Sequence, residues 1–409
     1  MDRELSLGII LFTVFLLFFI LVVLIMEYKN MEQLQIEYPD IPKEAYEYRK
    51  SNLKVWAISL VLKFLVPFLF LITGLSSKIG NFAKGNGRNL FLTGLIYAVI
   101  FSIIDLLISL PTSFYSGFIL KHRYNLSNQT ISRWFELVFK NFVLNTGAMS
   151  LTIWFPYYMM RKSPTRWWLY LGLISIPVII FIAFISPMYI DPIFNKYTSI
   201  EDEQLGQEIK ELLNKAGIED ADIYKVDKSR DTKEMNAYMT GVFKSKRIVL
   251  WDTTIDKLSK EEILSVTAHE IGHYVKGHIW KGIILGGLGS ILLMYLVYRT
   301  SHWILIKSNG SFGFNRLQDI ASLPLILLVL NFYMFFANPI TNAYSRHMER
   351  EADMMEIQLT KNKEAAIFTI SKLHEESLSI PRSSTIYKIW YHSHPTAEER
   401  IEFFSNFEY

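Results

Sequence analysis

The chain has 409 residues, 51% of them hydrophobic and 15% aromatic, with a net charge of +3 and no cysteine. Apolar content of this order favours a membrane protein over two or three soluble domains. The near-balanced charge argues against a nucleic-acid partner, and the lack of cysteine excludes disulfides and thiolate ligands, so any metal must be held by histidine and carboxylate.

Taken in chain order, seven apolar stretches approach or reach the ~20 residues that cross a hydrocarbon core. They lie at about 5–26, 55–75, 90–110, 142–160, 167–186, 279–298 and 320–337. The first follows the short "MDRE"; it is too long for a signal peptide and no A-x-A-like site follows, so it reads as a retained span. Polar loops fall at about 27–54 and 111–140, and the basic "RKSPTR" joins spans four and five. Residues 1–187 thus hold five spans and residues 279–338 two more. The long polar segments are 188–278 and 339–409, and their composition is that of a folded domain. Two spans separate them, so the chain leaves and returns to the same membrane side. The two segments can therefore form one domain.

Within 188–278 the local signals are clear. "EDEQLGQEIKELLNKAG" has helical periodicity and ends at Gly217, a fitting residue just past a helix. "DIYKV", "NAYMTGVF" and "RIVLWD" read as short strands, the last two joined through "KSK". "SKEE" at 259–262 offers a capping box, Ser259 with Glu262, that opens a helix running through His273. The segment is a small α+β unit whose last helix carries the motif "HEIGH".

Residues four apart share one face of a helix, so His269 and His273 can point at one ion. Glu270, one position on, can reach water at that ion without ligating it, the arrangement of a zinc hydrolase with a carboxylate base. Chance would place H-E-x-x-H in about one sequence in a hundred of this composition, so the motif carries weight. A catalytic zinc usually takes three protein ligands. The register that supplies a third histidine on the same segment fails, because the required positions are Lys276 and Ile279, and His278 lies one residue out of step. "NAYSRHMEREADMMEI", starting at Asn342, is the obvious source of a carboxylate. Glu349 and Asp353 share a face there and Glu351 points away, yet spacing alone leaves Glu349 and Glu351 both open. Lys63 and Asp105 are ionisable groups at membrane depth, expensive unless they meet a cavity, a partner or the interface. The histidines at 122, 278, 302, 347, 374 and 392 read as structural.

The chain resembles the type 1 CAAX prenyl protease family and the related HtpX-like membrane proteases. The resemblance rests on "HEIGH" before span six, "SRHMEREAD", "DPIFNKYT" at 191–198, "NAYMTG" at 236–241, "KRIVLWDT" at 246–253 and "SHPTAEERI" at 393–401. HtpX-like proteins have fewer spans, so seven favours the prenyl protease architecture. It implies an α-helical integral membrane protein with about seven transmembrane helices and a small α+β zincin-type (gluzincin) catalytic domain built from the two polar segments. It implies one zinc per chain, on His269, His273 and Glu349, with Glu270 as general base. Asp353 matches an acid that orients a ligand histidine. Asn236 and Ala237 match a strand along which substrate backbone lies, and His394 and Arg400 match an element that stabilises the oxyanion or contacts substrate. It also implies an intramembrane chamber, a catalytic side facing the cytosol, and a polypeptide substrate, lipidated or membrane-associated. In one departure, Lys121 stands where relatives often carry an acid.

Two other readings compete. A seven-span transporter or receptor with an incidental HExxH should show matching halves with discontinuous helices, and no such symmetry is visible in the sequence. A metal-binding scaffold without catalysis would not need Glu270, which is present.

Overall fold

The structure, a computed structural model, describes residues 1–200, 202–242 and 245–408. The N-terminal half is helical: α1 (Arg3–Glu37), α2 (Lys43–Ile72), α3 (Leu75–Asn86), α4 (Leu90–Phe114), a three-residue α5 (Lys121–Arg123), α6 (Ile131–Thr152), α7 (Trp154–Lys162) and α8 (Trp167–Ile185). The apolar runs decide where the long helices lie, and polar caps decide where they begin. Asp2, Asn89 and Thr130 each accept a first-turn backbone N–H with the side chain, at α1, α4 and α6.

Among the described residues, six helices are long and apolar enough to cross a membrane. They cover every expected span except the fourth. That stretch falls across α6 and α7, which are separate helices meeting at Ile153, and the first half of α6 carries Arg133, Glu136 and Lys140 in mutual ion pairs. It packs on α4 but is not one apolar rod. Leu7, Ile10, Leu11, Val14 and Phe18 of α1 face outward, while Leu16, Phe19 and Val23 pack inward on Phe64 and Phe335. An apolar exterior around an apolar interior is what a bilayer requires of a helix bundle.

The bundle core gathers Phe70, Tyr97, Phe101, Tyr157, Trp167 and Leu325. Buried hydroxyls pair within it: Ser76 Oγ lies 2.7 Å from Tyr97 Oη and donates to Ala321 O at 2.6 Å. A later long helix, α12 (His278–Ser308), packs closely along α8. Small residues permit this: a Cβ on Gly172 would stand 2.8 Å from Ile291 Cα, and Ser175 and Ser290 hydrogen-bond across the contact.

The soluble part holds a four-stranded sheet in the order β1-β2-β4-β3, from β1 (Tyr197–Ser199), β2 (Asp222–Val226), β3 (Ala237–Thr240) and β4 (Arg247–Trp251). β2 and β4 are parallel, and both outer pairings are antiparallel. β2 and β4 match the expected strands. β1, in "DPIFNKYT", has no periodic signal and forms only through its pairing with β2. β3 stops at Thr240, short of the expected 236–243; Phe243, and Lys244 of the "KSK" turn, lie outside the described residues.

Helix α9 (Glu203–Lys215) covers the sheet with Leu205, Ile209, Leu212 and Leu213. A short α10 (Asp252–Lys257) leads to α11 (Lys260–Val275), whose capping box pairs Ser259 and Glu262 in both directions. The 38-residue α13 (Leu323–Thr360) contains the last apolar span and the first part of the C-terminal polar segment in one helix. It is followed by α14 (Lys363–Glu376), α15 (Thr385–Tyr391) and α16 (Ala397–Ser405). α11 packs on α13 and α14, and α14 on α16. The fully buried Glu27 of α1 accepts from Arg49 at 2.7 Å and from Ser384 N–H and Oγ–H, each at 2.7 Å. That junction ties the start of α15 to the N-terminal helices.

Candidate metal centre

The site forms where α11 and α13 touch. Gly272 is the point of closest approach: a Cβ there would lie 3.0 Å from Met355 Cβ and 3.1 Å from both Ala352 Cα and Ala352 O. Only a residue without a side chain lets the two helices come this near. Gly272→Ala is therefore expected to destabilise the protein by about 1–3 kcal/mol, the usual cost of overpacking. Thermal unfolding of the metal-free protein measures it, and an unchanged melting point would show that the contact has slack.

That approach brings His269 and His273 to Glu349. Their Nε2 atoms are 3.1 Å apart; His269 Nε2 is 3.3 Å from Glu349 Oε2 and His273 Nε2 is 3.4 Å from Glu349 Oε1. Ligands about 2.0–2.1 Å from a tetrahedral zinc stand roughly 3.3 Å from one another, so the spacing fits a single ion. Glu349 is buried, and its Oε2 has no hydrogen-bond partner among the described residues. A buried carboxylate oxygen without a partner is costly, and a cation at this point would satisfy it. Two imidazoles and a carboxylate also form the donor set of a catalytic zinc with one position left for water.

Both candidate ligand histidines have partners behind them. His269 Nδ1 lies 3.0 Å from Asp353 Oδ1 and 3.2 Å from Arg400 Nη2, a pair of groups that turns Nε2 toward the site. Asp353 is in turn gripped by Arg400, whose Nη2 donates at 2.5 Å and whose Nε donates at 3.2 Å. Arg400, expected beside the oxyanion or substrate, thus lies behind His269 and against Asp353. Glu356, also buried, accepts from Ser265 and stands 3.5 Å from His269 Nδ1. A buried group of His269, Asp353 and Glu356 therefore adjoins the ligand cluster.

Two residues whose place the sequence did not reveal, His278 and Glu351, sit behind the second candidate ligand, His273. His278 Nδ1 is 2.8 Å from His273 Nδ1, and His278 Nε2 is 3.0 Å from Glu351 Oε2, which also accepts from Lys281 Nζ at 3.0 Å. Glu351, the other carboxylate that spacing left open, faces these groups and not the cluster. The available sequence signal was Gly277, whose left-handed φ of +65° ends α11 and turns His278 back toward His273.

Glu270 has no protein hydrogen-bond partner among the described residues, so its carboxylate is free to meet water. Burial pushes that carboxyl above the ordinary carboxylate range, while His269 and His273 pull the other way. A raised pKa makes it a better proton acceptor near neutral pH. His394 reaches the cluster from the C-terminal segment, with Nε2 3.3 Å from Glu349 Oε1 and a side chain 65% exposed. His374 is half-buried, and its desolvation together with Arg400 lowers its pKa to about 4. Arg346 donates to the backbone oxygens of Lys388 and His392, which places it among the structural contacts of α15.

β3 is an edge strand packed beside α11. Trp251 N–H donates to Asn236 O, so the ladder bonds fall on alternate residues and the main-chain groups of Ala237 and Met239 point away from β4. Asn236 Oδ1 accepts from Ala237 N–H at 2.8 Å, and Thr254 Oγ1 fixes Asn236 from the other side. Lys121 pairs with Glu234 at 2.9 Å, and the 125–128 loop hydrogen-bonds to 229–233 just ahead of β3. Lys63 and Asp105 line a cavity of about 440 Å³ with Ser109, Thr112 and Asn331, and they form no ion pair with each other.

Comparisons with known proteins agree with this geometry. Residues 199–408 match peptidase family M48, and residues 38–196 match the CAAX prenyl protease N-terminal region, described as five membrane helices. The uncharacterized metalloprotease YhfN of Bacillus subtilis is 33% identical over 354 residues, covering 86% of this chain and 83% of that protein. CAAX prenyl protease 1 of Saccharomyces cerevisiae is 30% identical over 330 residues, covering 75% and 71%. The crystal structure of S. mikatae Ste24p matches with a TM-score of 0.82 at 25% identity, covering 96% of this chain and 97% of that one.

Proposed function

Because the chain belongs to peptidase family M48 and is a membrane-embedded metalloendopeptidase, we propose that it holds one zinc ion on His269, His273 and Glu349. The observation that carries this reading is the buried Glu349 carboxylate, one oxygen of it unpartnered among the described residues, facing two imidazole nitrogens at ligand spacing. Bound there, zinc would supply Lewis acidity, lowering the pKa of water toward neutrality and polarising a carbonyl.

The residues do the rest. Glu270 takes a proton from the attacking water and passes it to the amine nitrogen as the peptide bond breaks. His394 donates Nε2–H to the oxyanion that develops on the scissile carbonyl. Arg400 acts through Asp353, holding the acid that orients His269. Substrate backbone adds to the open edge of β3 at Ala237, with the Asn236 side chain fixing the start of that edge, a mode that gives affinity with little sequence selectivity.

The substrates on this reading are membrane-associated or unfolded polypeptides, cleaved from the cytosolic side. Relatives are named CAAX prenyl proteases, and on this reading the peptide backbone, lipidated or not, is what the edge of β3 binds. The transporter or receptor reading finds no support, since the histidines of "HEIGH" converge on a buried carboxylate and are not incidental.

In the test, purified protein in detergent cleaves an unstructured peptide, loses activity to a strong chelator and regains it with zinc. Matched prenylated and unprenylated peptides are cleaved at similar kcat/KM. Full activity in protein shown to be metal-free would end the zinc reading.

A further inference from the structure

We propose that His278 and Glu351 are positioning residues for the metal ligand His273, and that through them the first turn of a membrane helix helps set metal affinity. This rests on the zinc reading above.

The argument is one of donors and acceptors. With Nε2 of His273 turned to the ligand cluster, its neutral ring carries the proton on Nδ1. That N–H meets His278 Nδ1 at 2.8 Å, so His278 must present a lone pair there and hold its own proton on Nε2. His278 Nε2–H then points at Glu351 Oε2, 3.0 Å away. One assignment of protons satisfies every contact, and it runs from carboxylate to imidazole to imidazole to ligand nitrogen. Lys281, one turn along α12, holds Glu351 from the other side at 3.0 Å.

The chain is built, not incidental. His278 is buried, with 5% exposure, although it opens a membrane helix. Its neighbour Gly277 takes the left-handed backbone that folds it onto His273. The arrangement parallels that of His269, whose Nδ1 lies 3.0 Å from the Asp353 carboxylate. One ligand is thus oriented from within α13 and the other across α12 and α13. Partners that fix the orientation of a ligand histidine typically contribute 10–100-fold to metal affinity.

The experiment titrates full-length, metal-stripped protein in detergent with zinc against a chromophoric chelator. His278→Phe keeps the ring but cannot accept or donate, and its zinc Kd is expected to rise about 10–100-fold. His278→Gln restores an acceptor and a donor, and should return the Kd to within about threefold of wild type. Thermal unfolding of the metal-free variants, expected to be unchanged, separates positioning from a merely structural role. A folded His278→Phe protein with wild-type zinc affinity would overturn the proposal. Should that variant not fold, Glu351→Ala, at a partly exposed position, serves in its place, and unchanged affinity there overturns it equally. His269→Ala tests the underlying reading separately: it should bind no zinc at the site, and if it does bind, the zinc assignment fails whatever His278 does.

Discussion

Replacing Glu270 with glutamine is expected to lower kcat by about 10³-fold, within the range that a positioned general base contributes. The amide keeps the shape of the carboxylate but cannot accept a proton. The three converging ligand atoms belong to other residues, so the variant should still bind one zinc, and KM should change little. Wild-type kcat/KM should fall as pH drops through the raised Glu270 pKa, because the protonated carboxyl cannot act as base. The variant should lack that limb. Steady-state kinetics on an unstructured peptide, paired with metal analysis of the same sample, decides the matter. Activity within about tenfold of wild type in a zinc-loaded variant would remove Glu270 from the mechanism.

The second large effect separates two neighbouring acids. Glu349→Gln should leave protein that no longer retains stoichiometric zinc and no longer cleaves peptide, because it removes the charged ligand of the cluster. Glu351→Ala should keep one zinc at saturating metal and retain measurable hydrolysis, since Glu351 faces His278 and Lys281. The reverse pattern, with zinc kept in the first variant and lost in the second, would show that the carboxylates have been assigned the wrong way round.

The difference between those acids marks where sequence reading ended. Helical periodicity places Glu349 and Asp353 on one face and Glu351 off it, but cannot say which face meets α11. That depends on Gly272 seating against Ala352, a contact between residues eighty positions apart. Local features were legible for the opposite reason. The capping box at Ser259, the end of α9 before Gly217, and the strands β2 and β4 each depend on a few adjacent residues. β1 was not legible, because three residues with no pattern of their own become a strand only by pairing with β2. The fourth apolar stretch looked like a span by composition, and the signal against it was Pro156, whose missing N–H cannot bond Thr152 O across the break at Ile153. His278 looked one residue out of register for a ligand, and the reason it sits there is the backbone turn at Gly277. Arg400 was identifiable as a residue of the site, while its bond to Asp353 required the tertiary fold.

The long helix α13 carries one further implication. Pro339 lies inside it, ten residues before Glu349, and lacks the N–H that would bond Phe335 O. A proline in a helix is a hinge, and ten residues make a lever arm of about 15 Å. A flexure of about 4° there would carry Glu349 roughly 1 Å, a displacement large enough to matter for catalytic alignment. The ligands would not part, because Gly272 keys α11 onto α13 beyond the hinge and both helices swing together. A bend at that missing rung would thus move Glu349 and the histidines of α11 as one unit, and the spacing among them would be kept.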